Sequence, residues 1–98
     1  MAVTTSEFLQ DVPEFDELEP GEKVTVNDVE YTIIDKETRW PSPGESVHYL
    51  YLECGETINV VSWNPAHSSE AVWLFPKGSD PMTEGVDVES VTFHGEES

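Results

Sequence analysis

Apolar and polar residues alternate through KVTVNDVEYTIID, with Val24, Val26, Val29, Tyr31 and Ile33 as the apolar set and one interruption at Asn27-Asp28. A period of two marks a strand with one buried face. With Asn27-Asp28 as a two-residue hairpin loop, Val26 faces Val29 and Val24 faces Tyr31, so all five side chains share a side. Asn and Asp accept the positive φ that such a loop demands.

A second pair of β-rich runs, VHYLYLECGETINVVSW, meets at Cys54-Gly55. Pairing across that turn sets Tyr51 opposite Ile58 and Tyr49 opposite Val60, with Leu50, Leu52 and Val61 on the reverse side. Both faces then carry apolar groups, as in a rolled sheet. This register also sets Glu53 against Glu56, a repulsion that a longer loop or added salt would relieve. AVWLF at 71–75 and VDVESVTF at 86–93 supply further strands, the latter with its alternation broken at Ser90, which reads as a bulge. Between the hairpins RWPSPGES reads as a loop, because Pro41 blocks a strand interior and Pro43-Gly44 is turn chemistry. Near the start, Thr5 or Ser6 can cap a short helix running to Gln10 or Asp11 and stopped by Pro13. The prediction is an all-β domain over 21–94 of five to six antiparallel strands, an acidic helical or extended arm over 1–20, and a flexible tail at 95–98.

Charge changes the picture. The 98 residues carry 21 acidic and 4 basic side chains, a net −17, with 37% hydrophobic residues. One domain with one modest core is what such a length supports. Four cations cannot supply the counterion release that drives phosphate-backbone or anionic-membrane binding, so direct nucleic-acid and membrane contacts are not expected. MAVTTSEFLQ lacks the basic and apolar regions of a secretion signal, which predicts a cytoplasmic or virion setting. The flanks, 1–22 and 79–98, hold thirteen of the acids and no base, while 23–78 still has eight acids against four bases. An acidic, lysine-poor surface is how a protein stays dissolved in molar salt, where screening shortens the Debye length to about 3 Å.

No catalytic or metal-binding pattern emerges. His48, His67 and His94 lie 19 and 27 residues apart and match no local ligand motif. Cys54 is alone, which excludes an internal disulfide or a multi-cysteine zinc site. No spaced acidic calcium loop, phosphate-cradling glycine loop or nucleophile elbow around His67-Ser68-Ser69 is present. No cofactor is implied. The aromatic residues serve first as core; Trp40, beside Arg39 on a Pro-rich stretch, has the character of a protein-binding hot spot.

The order of elements over Leu18–Gly78 resembles a small SH3-like β-barrel: a PGEKV turn, an early hairpin, a Pro/Gly-bearing loop, a longer hairpin and a terminal strand. The acidic aromatic peptide-binding motif of true SH3 domains is missing. The composition is similar to that of cytoplasmic or virion proteins of extreme halophiles. Folds of this kind host many functions.

Two functional expectations follow. The first is a noncatalytic, salt-adapted interaction or structural module that meets a protein partner or its own copies through the N-terminal arm, with Phe8, Leu9, Val12, Phe15, Arg39, Trp40 and Trp63 as contact residues; the arm's apolar groups are too many to leave in water. The alternative is a DNA mimic whose carboxylates occupy the basic groove of a nucleic-acid-binding protein.

Overall fold

In the computed structural model the described residues are 3–12, 15–67 and 69–94. Seven antiparallel strands form one curled, half-barrel sheet: β1 (Lys23–Val26), β2 (Val29–Ser42), β3 (Glu45–Cys54), β4 (Thr57–Trp63), β5 (Trp73–Pro76), β6 (Val86–Asp87) and β7 (Val91–His94), in the spatial order β6-β5-β4-β3-β2-β1-β7. Two short helices, α1 (Thr5–Asp11) and α2 (Pro81–Glu84), and a 3₁₀ turn at Phe15–Glu17 complete the elements. No helix among the described residues is long and apolar enough to cross a membrane.

The β1–β2 hairpin has the expected register, Val26 with Val29 and Val24 with Tyr31. Asn27 (φ 50°) and Asp28 (φ 66°) occupy the left-handed region that a tight two-residue hairpin loop requires. The β3–β4 hairpin is shifted by two residues from expectation: Cys54 pairs with Thr57, Tyr51 with Val60 and Tyr49 with Ser62. Gly55, at φ 63°, takes the first loop position, a left-handed conformation that glycine adopts at no steric cost and that would strain Cys54. Glu53 therefore lies opposite Ile58, and the clash with Glu56 does not arise. A shift of two leaves every side chain on its expected face.

Two further corrections share a cause: local pattern does not reveal a strand's neighbours. RWPSPGES is mostly strand, with β2 running through Trp40 and Pro41 to Ser42 and only Pro43-Gly44 as the loop. Pro41 is tolerated because it lies in the irregular stretch between Arg39 and Ser42, where ladder pairing lapses. The break at Ser90 is not a bulge within one strand. There the chain crosses from β6, paired with β5 on one edge, to β7, paired with β1 on the other. That division raises the strand count to seven, above the five to six expected.

Asn27 holds this crossover. Its Nδ2 donates to the Asp87 carbonyl at 3.0 Å, and its Oδ1 accepts from the amides of Glu89 at 2.6 Å and Ser90 at 3.2 Å. The Asn27 amide adds a bond to the Ser90 carbonyl at 2.9 Å. A residue needed for the hairpin turn thus also fixes the segment joining the sheet's two edges.

The concave side encloses the core: Val24, Val26, Tyr31, Ile33, Leu50, Leu52, Val61, Trp63 and Leu74, with Val72 and Val88. The N-terminal stretch is built into it. Val3 donates to Val88 O and accepts from Val72 N, and Thr5 bonds Glu70 O through both its amide and its hydroxyl. Helix α1 begins at a Thr4 cap, one residue before the expected position, with Thr4 and Glu7 bonding each other's backbone amides in a capping box. It ends at Asp11; Pro13, the expected stop, lies outside the described residues, as does the 95–98 tail. Phe8 and Leu18 are fully buried, each worth roughly 1.5–3 kcal/mol of hydrophobic stabilisation.

Replacing Asn27 separates its two roles. Asn27→Gly keeps the turn geometry but loses the side-chain bonds, and is expected to cost about 1–2 kcal/mol; Asn27→Ala, which also strains φ, should cost about 2–3 kcal/mol. Thermal denaturation reads both, and an Asn27→Gly melting temperature equal to the parent's would show that the crossover does not depend on the clamp.

Candidate interaction surface

The residues marked in the sequence as contact candidates divide into two places. Phe8, Val12, Phe15 and Trp63 face the core. Phe8 is 1% and Trp63 4% exposed, with ring centroids 4.9 Å apart, and Phe15 meets Trp63 edge-on at 5.8 Å. Val12 is buried and Phe15 packs against the same cluster. The arm's apolar groups are thus covered by its own sheet; of that set Leu9, at 39%, is exposed. Trp63 cannot reach a partner without unfolding, and its Nε1 finds no acceptor within the cluster.

His48 belongs to this inner group. Its ring stacks on Phe15 at 4.2 Å, and Nδ1 lies 2.9 Å from Thr38 Oγ1. Lys36 secures the overlying turn by donating from Nζ to the carbonyls of Phe15 and Asp16. Burial pushes the His48 imidazole below its ordinary pKa, and the Asp16 carboxylate opposes that only partly.

Arg39 and Trp40 lie outside, near the end of β2, where the strand has run past the core. Trp40 is 67% exposed. From Arg39 an aromatic surface continues across the convex side of the sheet. Side chains at alternate positions form two rows, Tyr49–Ser62–Trp73 and Tyr51–Val60–Phe75. Carboxylates stand at the ends of these rows: Glu37 pairs with Tyr49 and Asp35 with Tyr51 on β2, and Asp87 with Trp73 on β6. Val60 and Phe75 are buried at 3% and 7% yet stand apart from the main core, forming a second small cluster. The turn after β5, through Gly78 and Ser79, borders it. The Arg39 guanidinium lies 4.9 Å from the Tyr49 ring centre, and Lys77 Nζ 5.7 Å from that of Tyr51. Long cationic side chains shield aromatic surface with their stems while the charged heads stay wet. Tyr51 donates its hydroxyl to Glu37 at 2.8 Å, and Arg39 pairs with the same carboxylate at 3.2 Å. Both contacts hold Glu37 below the usual carboxylate range, the Tyr51 bond first. An open groove of about 410 Å³ runs between Arg39 and Lys77 over Tyr49, Tyr51, Val60 and Phe75. The sequence reading missed Tyr49, Tyr51, Lys77 and Trp73 as surface; the available signal was the opposite parity of Tyr49 and Tyr51 to Leu50 and Leu52.

Backbone geometry adds a second feature. Cys54 and Thr57 close a two-residue loop, so even-numbered residues of β3 turn their amides and carbonyls to β4 and odd-numbered ones to β2. Val47 and Tyr49 therefore bond Arg39 and Glu37, and Lys36, Thr38 and Trp40 point their backbone groups the other way. On that side β1 reaches only Thr32, and Gly21 and Glu22 only Ile33. Among the described residues no backbone group meets Lys36, Thr38 or Trp40 there. The Lys36 amide is instead capped by the Asp35 carboxylate at 2.8 Å, as happens at a free sheet edge.

The remaining chemistry-bearing residues are dispersed. His67, exposed, lies 3.4 Å from Glu45 and 3.5 Å from Glu70; Ser68 lies outside the described residues. Cys54 is an exposed free thiol. Among the described residues no cluster of His, Cys, Asp and Glu has the arrangement of a metal site, and none of the described acidic side chains is buried. Comparison with protein-family models, curated proteins and solved structures gave no match.

The His48 environment has a pH signature. Because its folded pKa lies below the unfolded value of about 6.5, the unfolded chain binds the proton first, and stability present above that value declines as pH falls through it toward the folded pKa. The melting temperature of the parent should drop between pH 7.5 and 5.5 relative to His48→Gln. Parallel pH profiles for the two proteins would refute this.

Proposed function

We propose that the protein is a noncatalytic, salt-adapted interaction or structural module that meets a protein partner through the outer half of the β2–β3 hairpin and the adjoining aromatic face. The observation that carries this reading is Trp40, 67% exposed beside Arg39 on a strand whose edge is unpaired among the described residues. Trp and Arg dominate the energetics of protein contacts, and a large indole left in water on so small a protein is costly unless something covers it. In a salt-loving cell, or a virion assembled there, partners are themselves acidic. Contact then favours a face poor in carboxylates, and the Tyr49–Ser62–Trp73 and Tyr51–Val60–Phe75 rows meet theirs only at the ends, at Glu37, Asp35 and Asp87. Leu9 on α1 remains an accessible apolar group, but Phe8, Val12 and Trp63 support the fold in place of a contact. Kinship with small SH3-like barrels is part of this proposal and rests on the hairpin spacing over 18–78.

The DNA-mimic alternative gains less support. The described carboxylates are dispersed over α1, the 3₁₀ turn, β2, β3, the hairpin loops, α2 and the 87–89 crossover, where phosphate imitation needs them gathered in a double row.

Two measurements test the proposal. With the tagged protein as bait in 2 M KCl, Trp40→Ala should lower retention of a wild-type binding partner at least about tenfold while leaving the melting temperature within a few degrees, since the indole packs on little within the chain. Retention indifferent to Trp40 would overturn the assigned surface. Self-repulsion among unscreened carboxylates further implies a melting temperature that climbs between 0.1 and 2 M KCl; a flat profile would contradict salt adaptation.

A further inference from the structure

The edge of β2 left unpaired among the described residues is self-complementary, and we infer that its occupant is the same edge of a second copy of this chain, joined antiparallel about a twofold axis at Thr38. This rests on the reading of the outer hairpin as an interaction surface and names the partner. Lys36, Thr38 and Trp40 are the residues whose backbone groups face outward. Pairing centred on Thr38 matches Thr38 with Thr38 and Lys36 with Trp40 in both directions, so every outward amide and carbonyl in this stretch meets a complement. The intervening residues then form non-hydrogen-bonded pairs, in which side chains approach most closely: Glu37 falls opposite Arg39 of the second copy, and Arg39 opposite its Glu37. On the other side Trp40 falls opposite Lys36 of the second copy, beside the Phe15–Asp16 turn that Lys36 Nζ holds, which takes part of the exposed indole out of water.

Charge selects this register over its neighbours. A slip by one residue in either strand matches Lys36, Thr38 and Trp40 with residues whose backbone groups face β3. The hydrogen-bonding alternatives centred on Glu37 or on Arg39 set like charges directly opposite each other. One centred on Lys36 places Glu37 against Asp35. Only the Thr38 centre pairs opposite signs at both flanking positions. A twofold arrangement uses this edge on both partners and closes, producing a dimer and no fibre; Pro41, which lacks an amide, ends the pairing beyond Trp40. With a net −17 on each copy, long-range repulsion opposes the approach in dilute buffer and is screened in molar salt, so the dimer belongs to the same solvent as the fold.

Sedimentation equilibrium of the full chain from 0.2 to 2 M KCl tests this. The wild type should show a concentration-dependent species of twice 11.0 kDa that strengthens as salt rises. At the lowest salt where it forms, Glu37→Arg and Arg39→Glu should each raise the dissociation constant roughly tenfold, because each makes both flanking pairs like-charged. An equimolar mixture of the two variants joins a doubly basic edge to a doubly acidic one and should restore dimerisation; this rescue also shows that both variants fold. Single variants that dimerise as well as the parent, or a mixture that fails to recover, would overturn the pairing. A monomeric wild type that still loses its partner on Trp40→Ala overturns self-pairing and leaves the interaction surface standing; a monomer whose partner retention also ignores Trp40 overturns both.

Discussion

The hydrogen bonds from the Asn27 side chain to the backbone of 87–90 are the constraint on which the architecture turns. A seven-stranded sheet of this size has two edges, and the chain manages both with one segment: β6 lies on β5, three residues later β7 lies on β1, and Asn27 secures the passage between them. Val88, fully buried at the crossing, bonds Val72 and Val3 through its amide and carbonyl, so the N-terminal stretch is drawn into the same junction. Curling the sheet gives it a concave side that α1 and the residue just beyond it can close with Phe8 and Val12. What looks like a detachable acidic arm is thereby a structural part of the core.

The other half of β2 escapes this closure. It extends beyond β1 because β3 follows it through ten residues while β1 is only four long. A free edge on a soluble protein is ordinarily blunted by charge, by proline or by irregular geometry, and this one has all three in Lys36, Glu37 and Arg39, in Pro41, and in the two register shifts of β2. Such features prevent indiscriminate pairing without preventing a specific one. The convex aromatic rows beside the edge are equally restrained: Arg39 and Lys77 lie over Tyr49 and Tyr51, so a chain poor in cations has placed two of its four over half-buried rings. None of the described carboxylates is buried.

The features legible in the sequence were those set by neighbours along the chain. The β1–β2 hairpin could be read to the residue because turn chemistry and alternation agree at Asn27-Asp28. The faces of β3 and β4 were legible, but their register was not: Cys54-Gly55 and Gly55-Glu56 are both plausible loops, and only the backbone requirement at Gly55 separates them. The extension of β2 through Pro41 and the crossover at 88–90 depend on which strand lies alongside, and alternation within a segment does not carry that information. The same limit governs the site. Arg39 and Trp40 stood out because an indole beside a guanidinium on a Pro-rich stretch has no local use. Phe8, Val12 and Trp63 looked equally available, and long-range packing consumed them. The open edge could not be seen at all, since it consists of the absence of a neighbour among the described residues.

Amide hydrogen exchange residue by residue, at micromolar protein in molar KCl, reads the contrast between the closed and open edges directly. The account expects the amides of Val88, Glu89 and Ser90 to be protected, as their bonds to Val72 and Asn27 require, while those of Thr38 and Trp40 exchange quickly in the dilute monomer despite lying in the longest strand. Thr38 and Trp40 amides as slow as those of Glu37 and Arg39 at every dilution would mean that the chain covers this edge itself, and would contradict the division on which both the fold and the proposed contact rest.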